Sequence, residues 1–318
     1  MPSRQGFDFF FGHLTHTHAH LYYPQELWEN ETTVMLRGNR GGKKDDYTQD
    51  LFTRRALEFI EQSKDRPFFL YLAYTTPHWS DYDKQTPESQ LVPSDAPYSN
   101  ENWPQVEKNY AAMVTRLDAD VGKVVALLGK LGIEQNTIVF FASDNGPSAE
   151  GSHAVEFFDS NGALRGAKRQ VYEGGLRVPL IARCPGVIPA GKVSEQVWTF
   201  WDFLPTLAEL AGLPPTANTN GKVDGISLAP ALMGRDQPAR HESLYWDYGH
   251  ARDEYKQAAR FGDWKAVRNG RQAKIELYDL SRDPSETTNV AQEHPEIVER
   301  AAQILKAALT PSAEYRVP

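Results

Sequence analysis

Two long stretches of the chain carry apolar residues at the spacing of an amphipathic helix. In the first, which follows Asp46, apolar side chains recur about every 3.6 residues, at Leu51, Phe52, Ala56, Phe59 and Ile60. Pro67 ends that pattern, because proline cannot continue a helix. The second stripe occupies residues 106–128, and Gly132 is placed to end it. The pattern therefore predicts two helices that each bury one face.

Each predicted helix is followed by a short apolar run without alternation. Residues 68–74 form the first run, which leads into His78, and residues 137–142 form the second, which leads into Asp144 and Asn145. Continuous apolar runs are typical of strands covered on both faces, as in parallel sheets. The repeated order of helix and strand predicts an α/β fold with a doubly wound, mainly parallel sheet flanked by helices. Ligands bind beyond the carboxyl ends of such strands, where these three polar residues lie.

The C-terminal part of the chain follows another pattern. After an apolar run at residues 178–182 and a short helix from Asp202, the sequence becomes polar and rich in loop-forming residues. Two strand-like segments then flank Asn269-Gly270, which predicts an antiparallel hairpin, and a final helix begins near Pro295. We therefore predict an α/β domain in residues 1–240. A small C-terminal subdomain, an antiparallel sheet plus a helix, is predicted in residues 241–318.

Composition and charge narrow the class of protein. Hydrophobic residues make up 40% of the chain and charged residues 24%, which is ordinary for a globular protein. The net charge of −8 argues against nucleic acid as a partner, because phosphate binding needs a basic face. Cys184 is the single cysteine, so an internal disulfide and a cysteine-rich zinc site are excluded. We expect no membrane span and no signal peptide, since no run approaches ~18 apolar residues.

Two segments contain residue types that suit chemistry on an anion. Asp144 and Asn145 offer a carboxylate and an amide oxygen, which suit Ca²⁺ or Mg²⁺ rather than zinc. Asp-Asn-Gly is also an ordinary turn sequence, and that alternative stays open on these residues alone. Residues 164–179 form a glycine-flanked loop whose cations, Lys168 among them, can approach an anion. A solvated basic loop is the alternative interpretation of this second segment.

Both segments resemble the corresponding motifs of the sulfatase family, which belongs to the alkaline-phosphatase-like superfamily. The resemblance extends over nearly the whole chain, because further family motifs occur in the family's order: Gln5-Gly6-Phe7-Asp8, Thr76-Pro77-His78, Tyr110-Ala111-Ala112-Met113, Asp202-Phe203-Leu204-Pro205-Thr206, Asp224-Gly225-Ile226-Ser227-Leu228, Gly262-Asp263-Trp264-Lys265 and Leu277-Tyr278-Asp279-Leu280. It implies a sulfuric ester hydrolase that acts on aryl or carbohydrate sulfate esters. By the same resemblance, we expect a sulfated small molecule or carbohydrate as the substrate and a periplasmic or extracellular location.

The resemblance also implies roles for individual residues. Asp144 and Asn145 would be two of the metal ligands, with Ca²⁺ favoured over Mg²⁺. Lys168 would contact the sulfate oxygens, and His78 would stand near the sulfate and the leaving oxygen. His20 would face the substrate from the rim of the active site. A divalent cation polarises the sulfate, and lysine and histidine add donors where negative charge develops.

The chain departs from the family pattern at the nucleophile. Sulfatases carry paired aspartates and then Cys-x-Pro-Ser-Arg, whose cysteine becomes formylglycine, and neither motif is found here. Pro2-Ser3-Arg4 has no cysteine in the required place, and Cys184 is followed directly by proline. We interpret Asp45-Asp46 as a helix start rather than as the metal pair. The chain therefore resembles the middle and C-terminal part of a sulfatase, without its formylglycine precursor.

Two alternative functions stay open at this point. One is a non-catalytic protein that keeps the sulfate-binding pocket without turnover, which the absent nucleophile favours. The other is a phosphodiesterase or phosphonate hydrolase of the same superfamily. That class normally adds histidine metal ligands near the second aspartate, whereas Asn145 follows Asp144 here.

A cluster of histidines near the N-terminus raises a further alternative. Four imidazoles, at His13, His16, His18 and His20, lie within eight residues and have the chemistry of a zinc or other transition-metal site. The Asp-His that follows such runs in some metallohydrolases is absent, so a substrate-facing loop is the favoured interpretation. Trp28 and Trp79 are candidates for stacking on a sugar or aryl group, or for packing.

Overall fold

A computed structural model describes residues 1–80, 89–215, 223–237, 239–249 and 254–310. Two compact units make up the chain. The first combines Met1–Thr137 with Ser148–Phe158, and the second combines Ile138–Pro147 with the described residues from Asp159 onward. The predicted domain boundary near residue 240 lies inside the second unit, just before its four-stranded sheet begins.

The first unit contains the two predicted long helices. The α-helices and strands described in this unit are β1 (Phe11–Gly12), α1 (His16–Ala19), β2 (Glu26–Glu29), β3 (Thr32–Met35), α2 (Thr48–Ser63) and α3 (Gln105–Lys130). Strands β1, β2 and β3 form an antiparallel sheet in that order. Helix α2 buries Leu51, Phe52, Ala56 and Ile60, which are four of the five positions of its predicted apolar stripe. The periodicity of the sequence therefore located both helices correctly.

Residues 68–74 form an extended segment rather than a strand with a partner. The inward-facing side chains are Phe68, which packs edge to face on Phe59, and Leu72 and Tyr74, which pack against a cluster around Leu27 and Leu51. Alternate side chains point outward, and Phe69 is 60% and Tyr71 72% exposed. The prediction of a strand buried on both faces is therefore wrong within the described residues. An apolar run shows that both faces of a segment are hydrophobic, but both faces are buried only if other parts of the chain pack against each of them.

The second unit begins with a pair of strands and the segment that joins them. Its elements up to residue 237 are β4 (Val139–Ala142), α4 (Glu173–Leu176), β5 (Leu180–Arg183), α5 (Phe203–Leu210) and α6 (Ala229–Leu232). Strands β4 and β5 pair antiparallel, with Val139 opposite Arg183 and Ala142 opposite Leu180. Every strand pair in the described ranges is antiparallel, so the mainly parallel pairing that we predicted does not occur among them. The apolar pattern indicates which faces of a strand are buried, but it does not indicate whether the neighbouring strand runs parallel or antiparallel.

The C-terminal subdomain has the predicted sheet and helix. Four strands, β6 (Leu244–Tyr248), β7 (Lys256–Phe261), β8 (Trp264–Asn269) and β9 (Glu276–Asp279), form an antiparallel sheet in sequence order. Helix α7 (Pro295–Ala307) packs Ala301 and Leu305 against Ala259, Phe261 and Leu277 of this sheet. The predicted hairpin is the β8–β9 pair. The α/β class and the C-terminal sheet with its helix are thus confirmed.

Short 3₁₀ turns complete the described structure, at Pro2–Arg4, Arg37–Gly42, Glu134–Asn136, Val155–Phe157 and Phe200–Asp202. Within the described part of the chain, no helix combines the length and the apolar character needed to cross a bilayer.

Candidate active site

The Asp144-Asn145 pair lies in the loop that follows β4. Ser143 donates its hydroxyl to the carbonyl oxygen of Asn145 at 3.0 Å, which closes the turn. Asn145 donates its Nδ2 to the carbonyl oxygen of Gly146 at 2.9 Å, so the amide nitrogen is engaged in a hydrogen bond within the turn. The Asp144 side chain is exposed. The turn thus carries two adjacent residues with hard oxygen atoms, which is the ligand type that calcium and magnesium prefer.

The Lys168 loop is joined directly to this turn. The backbone nitrogen of Lys168 donates to the carbonyl oxygen of Pro147 at 2.8 Å. The backbone nitrogen of Gly146 donates to the carbonyl oxygen of Gly175, just beyond the loop, at 3.0 Å. The structure thus brings the backbone of Lys168 next to the turn that carries Asp144 and Asn145.

Three glycines lie close to backbone carbonyl oxygens, Gly146 where the turn meets the segment after the loop, and Gly174 and Gly175 where that segment packs on the loop. A Cβ atom on Gly146 would lie 1.9 Å from the carbonyl oxygen of Gly174. A Cβ on Gly174 would lie 2.4 Å from the carbonyl oxygen of Gly166, and one on Gly175 2.2 Å from that of Gln170. No side chain fits at such distances, so glycine is required where the loop and the turn meet.

His78 and His20 lie together in the first unit, and their ring centroids are 4.8 Å apart. The His78 Nδ1 is hydrogen-bonded to the carbonyl oxygen of Trp79 at 2.9 Å, and its Nε2 lies 3.9 Å from a carboxylate oxygen of Glu150. Buried Tyr22 donates its hydroxyl to the backbone carbonyl of His78. Each unit therefore places one pair of predicted site residues in close proximity.

The remaining histidines pack ring against ring. His13 lies edge to face on His18 with centroids 4.7 Å apart, and His16 lies 4.6 Å from His20. Burial, and then the neighbouring charge of His18, lower the pKa of His13 to about 3, so its ring is neutral. Within the described ranges, no three His, Cys, Asp or Glu side chains are arranged to hold a metal ion. The zinc alternative thus gains no support from this geometry.

The two candidate tryptophans have different surroundings. Trp79 contacts the ring of His20 at 4.8 Å and stacks on His78 at 5.8 Å. Trp28 lies in β2, opposite Gly12 and Thr33 in the sheet. Trp79 is therefore the one placed beside predicted site residues.

Cys184 lies at the wrong end of its strand to act beside Asp144. It follows Arg183, which pairs with Val139 at the start of β4, whereas Asp144 follows the other end of β4. The side chain of Cys184 is also buried. The geometry agrees with the sequence interpretation that this cysteine is not the nucleophile.

Comparisons with known proteins identify the family. A family model described as Sulfatase matches residues 1–213, which is more than half of the chain. This chain belongs to the sulfatase family. A second model, described as N-sulphoglucosamine sulphohydrolase, C-terminal, matches residues 166–312 of the same sulfatase chain.

Named relatives agree with this assignment. The chain is 30% identical to the N-acetylgalactosamine-6-sulfatase of Canis lupus familiaris, over 80% of its own length and 51% of the relative's. It is 28% identical to the N-acetylgalactosamine-6-O-sulfatase of Bacteroides thetaiotaomicron, over 85% of its own length and 53% of the relative's. This sulfatase chain thus spans about half the length of these two curated relatives.

A solved structure supports the same fold. The crystal structure of Ps i-CgsB in complex with k-i-k-neocarrahexaose aligns with 97% of this sulfatase chain and 67% of that chain, with a TM-score of 0.77 and 27% identity.

Sequence reasoning missed the residues that hold the Lys168 loop in place. They are Arg165 and Glu173, which flank the loop, and Lys265, Glu276 and Glu286 in the C-terminal part. The first two lie inside the glycine-flanked segment, and Lys265 ends the sulfatase-like motif that starts at Gly262. Their place inside motifs shared with the sulfatase family is the one signal by which the sequence could have indicated them.

Proposed function

We propose that this chain supplies calcium- and sulfate-binding residues of a sulfuric ester hydrolase. The observation that carries the proposal is the hydrogen bond from the Lys168 backbone to Pro147, which sets a lysine beside a turn with two hard oxygen donors. A lysine next to a divalent cation is suited to an anion with several charged oxygens.

Each residue would have a distinct task. Asp144 and Asn145 would hold the calcium ion, which when bound polarises a sulfate group and offsets its charge. Lys168 would bind the sulfate oxygens as a fixed positive donor. The carbonyl oxygen of Trp79 can only accept, so the Nδ1 of His78 carries a proton and its Nε2 is the nitrogen that gains or releases one. His78 would therefore hold or move a proton near the leaving oxygen.

We further propose a sulfated carbohydrate as the substrate, with His20 and Trp79 among the residues beside it. Support comes from the relatives, two of which are named for 6-sulfated N-acetylgalactosamine, and from the aligned structure in complex with k-i-k-neocarrahexaose. The indole of Trp79 is suited to packing on the apolar face of a sugar ring.

Sulfate binding by the chain tests the role of Lys168. Lys168→Ala is expected to weaken the binding of sulfate or galactose 6-sulfate by roughly 10- to 100-fold, because hydrogen bonds to charged groups contribute about 1.5–3 kcal/mol. Isothermal titration calorimetry in the presence of calcium measures the affinity. The matched control is Lys274→Ala, which removes an exposed lysine from the β8–β9 turn and should bind like the wild type. Equal affinities for Lys168→Ala and the wild type would contradict the proposal.

Calcium should stabilise the chain only slightly. Asp144 and Asn145 supply two of the six to eight oxygens that calcium prefers, so binding is expected to be weak. A ligand near its dissociation constant adds about 0.4 kcal/mol. Thermal unfolding with millimolar calcium and with a chelator measures the effect, and Asp144→Ala should abolish it. A calcium-dependent shift that survives in Asp144→Ala would place the ion elsewhere.

A further inference from the structure

The Lys168 loop, residues 166–172, is bounded by two charged residues that both reach the C-terminal subdomain. Arg165 precedes the loop and Glu173 follows it. The two ends of the loop lie next to each other, since Gly174, just after Glu173, donates its backbone nitrogen to the carbonyl oxygen of Arg165 at 2.7 Å. The position of Lys168 thus depends on what holds these two ends.

The Glu173 end is held by a buried cluster of charges. Lys265 of β8 places its Nζ 2.6 Å from one carboxylate oxygen of Glu173 and 3.5 Å from Glu286. The second oxygen of Glu173 lies 3.8 Å from a guanidinium nitrogen of Arg260. The side chains of Lys265 and Glu286 are 0% exposed. Lys265 therefore faces two carboxylates in a buried site with Arg260, which is 25% exposed, at its edge, and unpaired charge in such a site is costly.

The start of helix α4 belongs to the same cluster. Glu286 accepts a hydrogen bond from the backbone nitrogen of Glu173 at 2.7 Å. Because a helix of four residues cannot stabilise itself, this bond and the Glu173 carboxylate fix where the loop ends.

The Arg165 end is held by polar groups of the C-terminal sheet and the loop that follows it. One guanidinium nitrogen of Arg165 donates to the hydroxyl of Tyr278 at 2.9 Å and to the backbone carbonyl of Glu286 at 3.0 Å. The other nitrogen donates to the hydroxyl of Tyr172 at 3.1 Å. Burial first, and then the Glu276 carboxylate, raise the pKa of Tyr172 to about 12, so its hydroxyl stays protonated and donates to Glu276 at 2.7 Å.

We propose that Lys265, through Glu173 and Glu286, and Arg165, through Tyr278, are positioning residues that hold Lys168 in place for the sulfate. The inference rests on the proposed function of Lys168. The reason is geometric: both ends of the loop are fixed to one subdomain, and its middle is fixed to Pro147. These residues touch no reacting atom. They act by keeping the amide and side chain of Lys168 at the Asp144 turn.

The test compares two readouts in Lys265→Met, Lys265→Arg and Leu305→Ala. The first readout is hydrogen exchange of the Lys168 amide, which reports the bond to Pro147. The second is the affinity for inorganic sulfate. Lys265→Met should speed exchange at Lys168 and weaken sulfate binding, each by about tenfold or more. Lys265→Arg keeps the positive charge, so its amide exchange at Lys168 and its sulfate affinity should lie between those of Lys265→Met and the wild type.

Leu305→Ala is the stability-matched control, because Leu305 is buried in the same subdomain against α7 and the sheet. Leu305→Ala should lower the melting temperature about as much as Lys265→Met does. It should leave the exchange rate of the Lys168 amide and the sulfate affinity within about twofold of the wild type. If it changes them as much as Lys265→Met, or if Lys265→Met changes neither, the positioning role is wrong.

A second variant covers the case in which Lys265→Met fails to fold. Arg165→Lys keeps the charge at a half-exposed position but loses the planar fork that reaches Tyr278 and Glu286. It should also accelerate exchange at Lys168, and unchanged exchange would overturn the proposal. A wild-type chain that binds no sulfate, with exchange still dependent on Lys265, would refute the proposed function and leave the positioning role intact.

Discussion

Lys265→Met is expected to lower the free energy of unfolding by about 3–5 kcal/mol, which is a large part of the stability of a typical domain. The substitution keeps an apolar stem of similar length but removes the charge that faces Glu173 and Glu286. Two carboxylates are then left buried near each other, and the remaining cation described beside them, Arg260, lies 3.8 Å from Glu173. Urea unfolding followed by tryptophan fluorescence measures the change.

Lys256→Met is the matched control for this prediction. Lys256 lies on the neighbouring strand β7 and pairs with Glu254 at 3.2 Å, and the lysine side chain is 22% and the glutamate 58% exposed. Its Nζ also lies 3.4 Å from the backbone carbonyl oxygen of Arg169. Ion pairs that reach solvent in this way contribute less than about 1 kcal/mol. A loss for Lys265→Met no larger than that of the control would show that the buried cluster does not stabilise the fold.

Gly146→Ala is expected to separate the Asp144 turn from the Lys168 loop. The added Cβ would lie 1.9 Å from the Gly174 carbonyl oxygen, and the obstacle is backbone, which cannot rotate away as a side chain can. The hydrogen bond from Gly146 to Gly175 must then break. We expect a loss of about 1–3 kcal/mol or more, together with faster hydrogen exchange at Lys168 and weaker sulfate binding.

Gly122→Ala provides a control of opposite sign. Gly122 lies within α3, and a Cβ there would meet no atom within 4 Å. Alanine in a helix is favoured over glycine by about 0.5–1 kcal/mol, so this variant should be slightly more stable than the wild type. If both alanine variants melt like the wild type, the close contact at Gly146 does not constrain the turn.

The elements that the sequence predicted well are those set by local periodicity. Helices α2, α3 and α7 each begin within a few residues of the predicted position, because a stripe of apolar residues and a terminal proline or glycine are local signals. The β8–β9 pair was predictable for the same reason, since Asn269-Gly270 between two strand-like segments indicates a turn.

The sequence did not predict which residues far apart along the chain contact each other. The exposure of Phe69 and Tyr71 depends on whether another segment covers them. Likewise, Lys265 lies 92 residues from Glu173, and no local pattern connects the two. The adjacency of Lys168 and Asp144 was predicted from the strand end at Asp144, the glycine-flanked loop and the family resemblance, and the structure adds the backbone bond between Lys168 and Pro147.

Two of the sequence motifs shared with the sulfatase family stabilise the fold through contacts seen in the structure. Asp202 is buried, closes a capping box with Thr199 and accepts from the backbone nitrogen of Ile226 at 2.9 Å. Gly225 packs so closely on the carbonyl oxygen of Trp201 that a Cβ would lie 1.9 Å away. These two motifs therefore join the segment just before α5 to the segment just before α6.

The anchoring of the Lys168 loop also has a consequence for the order in which the chain is built. The groups that fix the ends of the loop lie 92 to 121 residues further along the chain. A ribosome that has just released Lys168 has therefore not yet produced Lys265, Tyr278 or Glu286. Contacts between residues so far apart in sequence form slowly, because the intervening chain must lose conformational entropy before the contacts can stabilise the structure. The Lys168 loop therefore reaches its final position only after the C-terminal sheet has been synthesised and has folded against it.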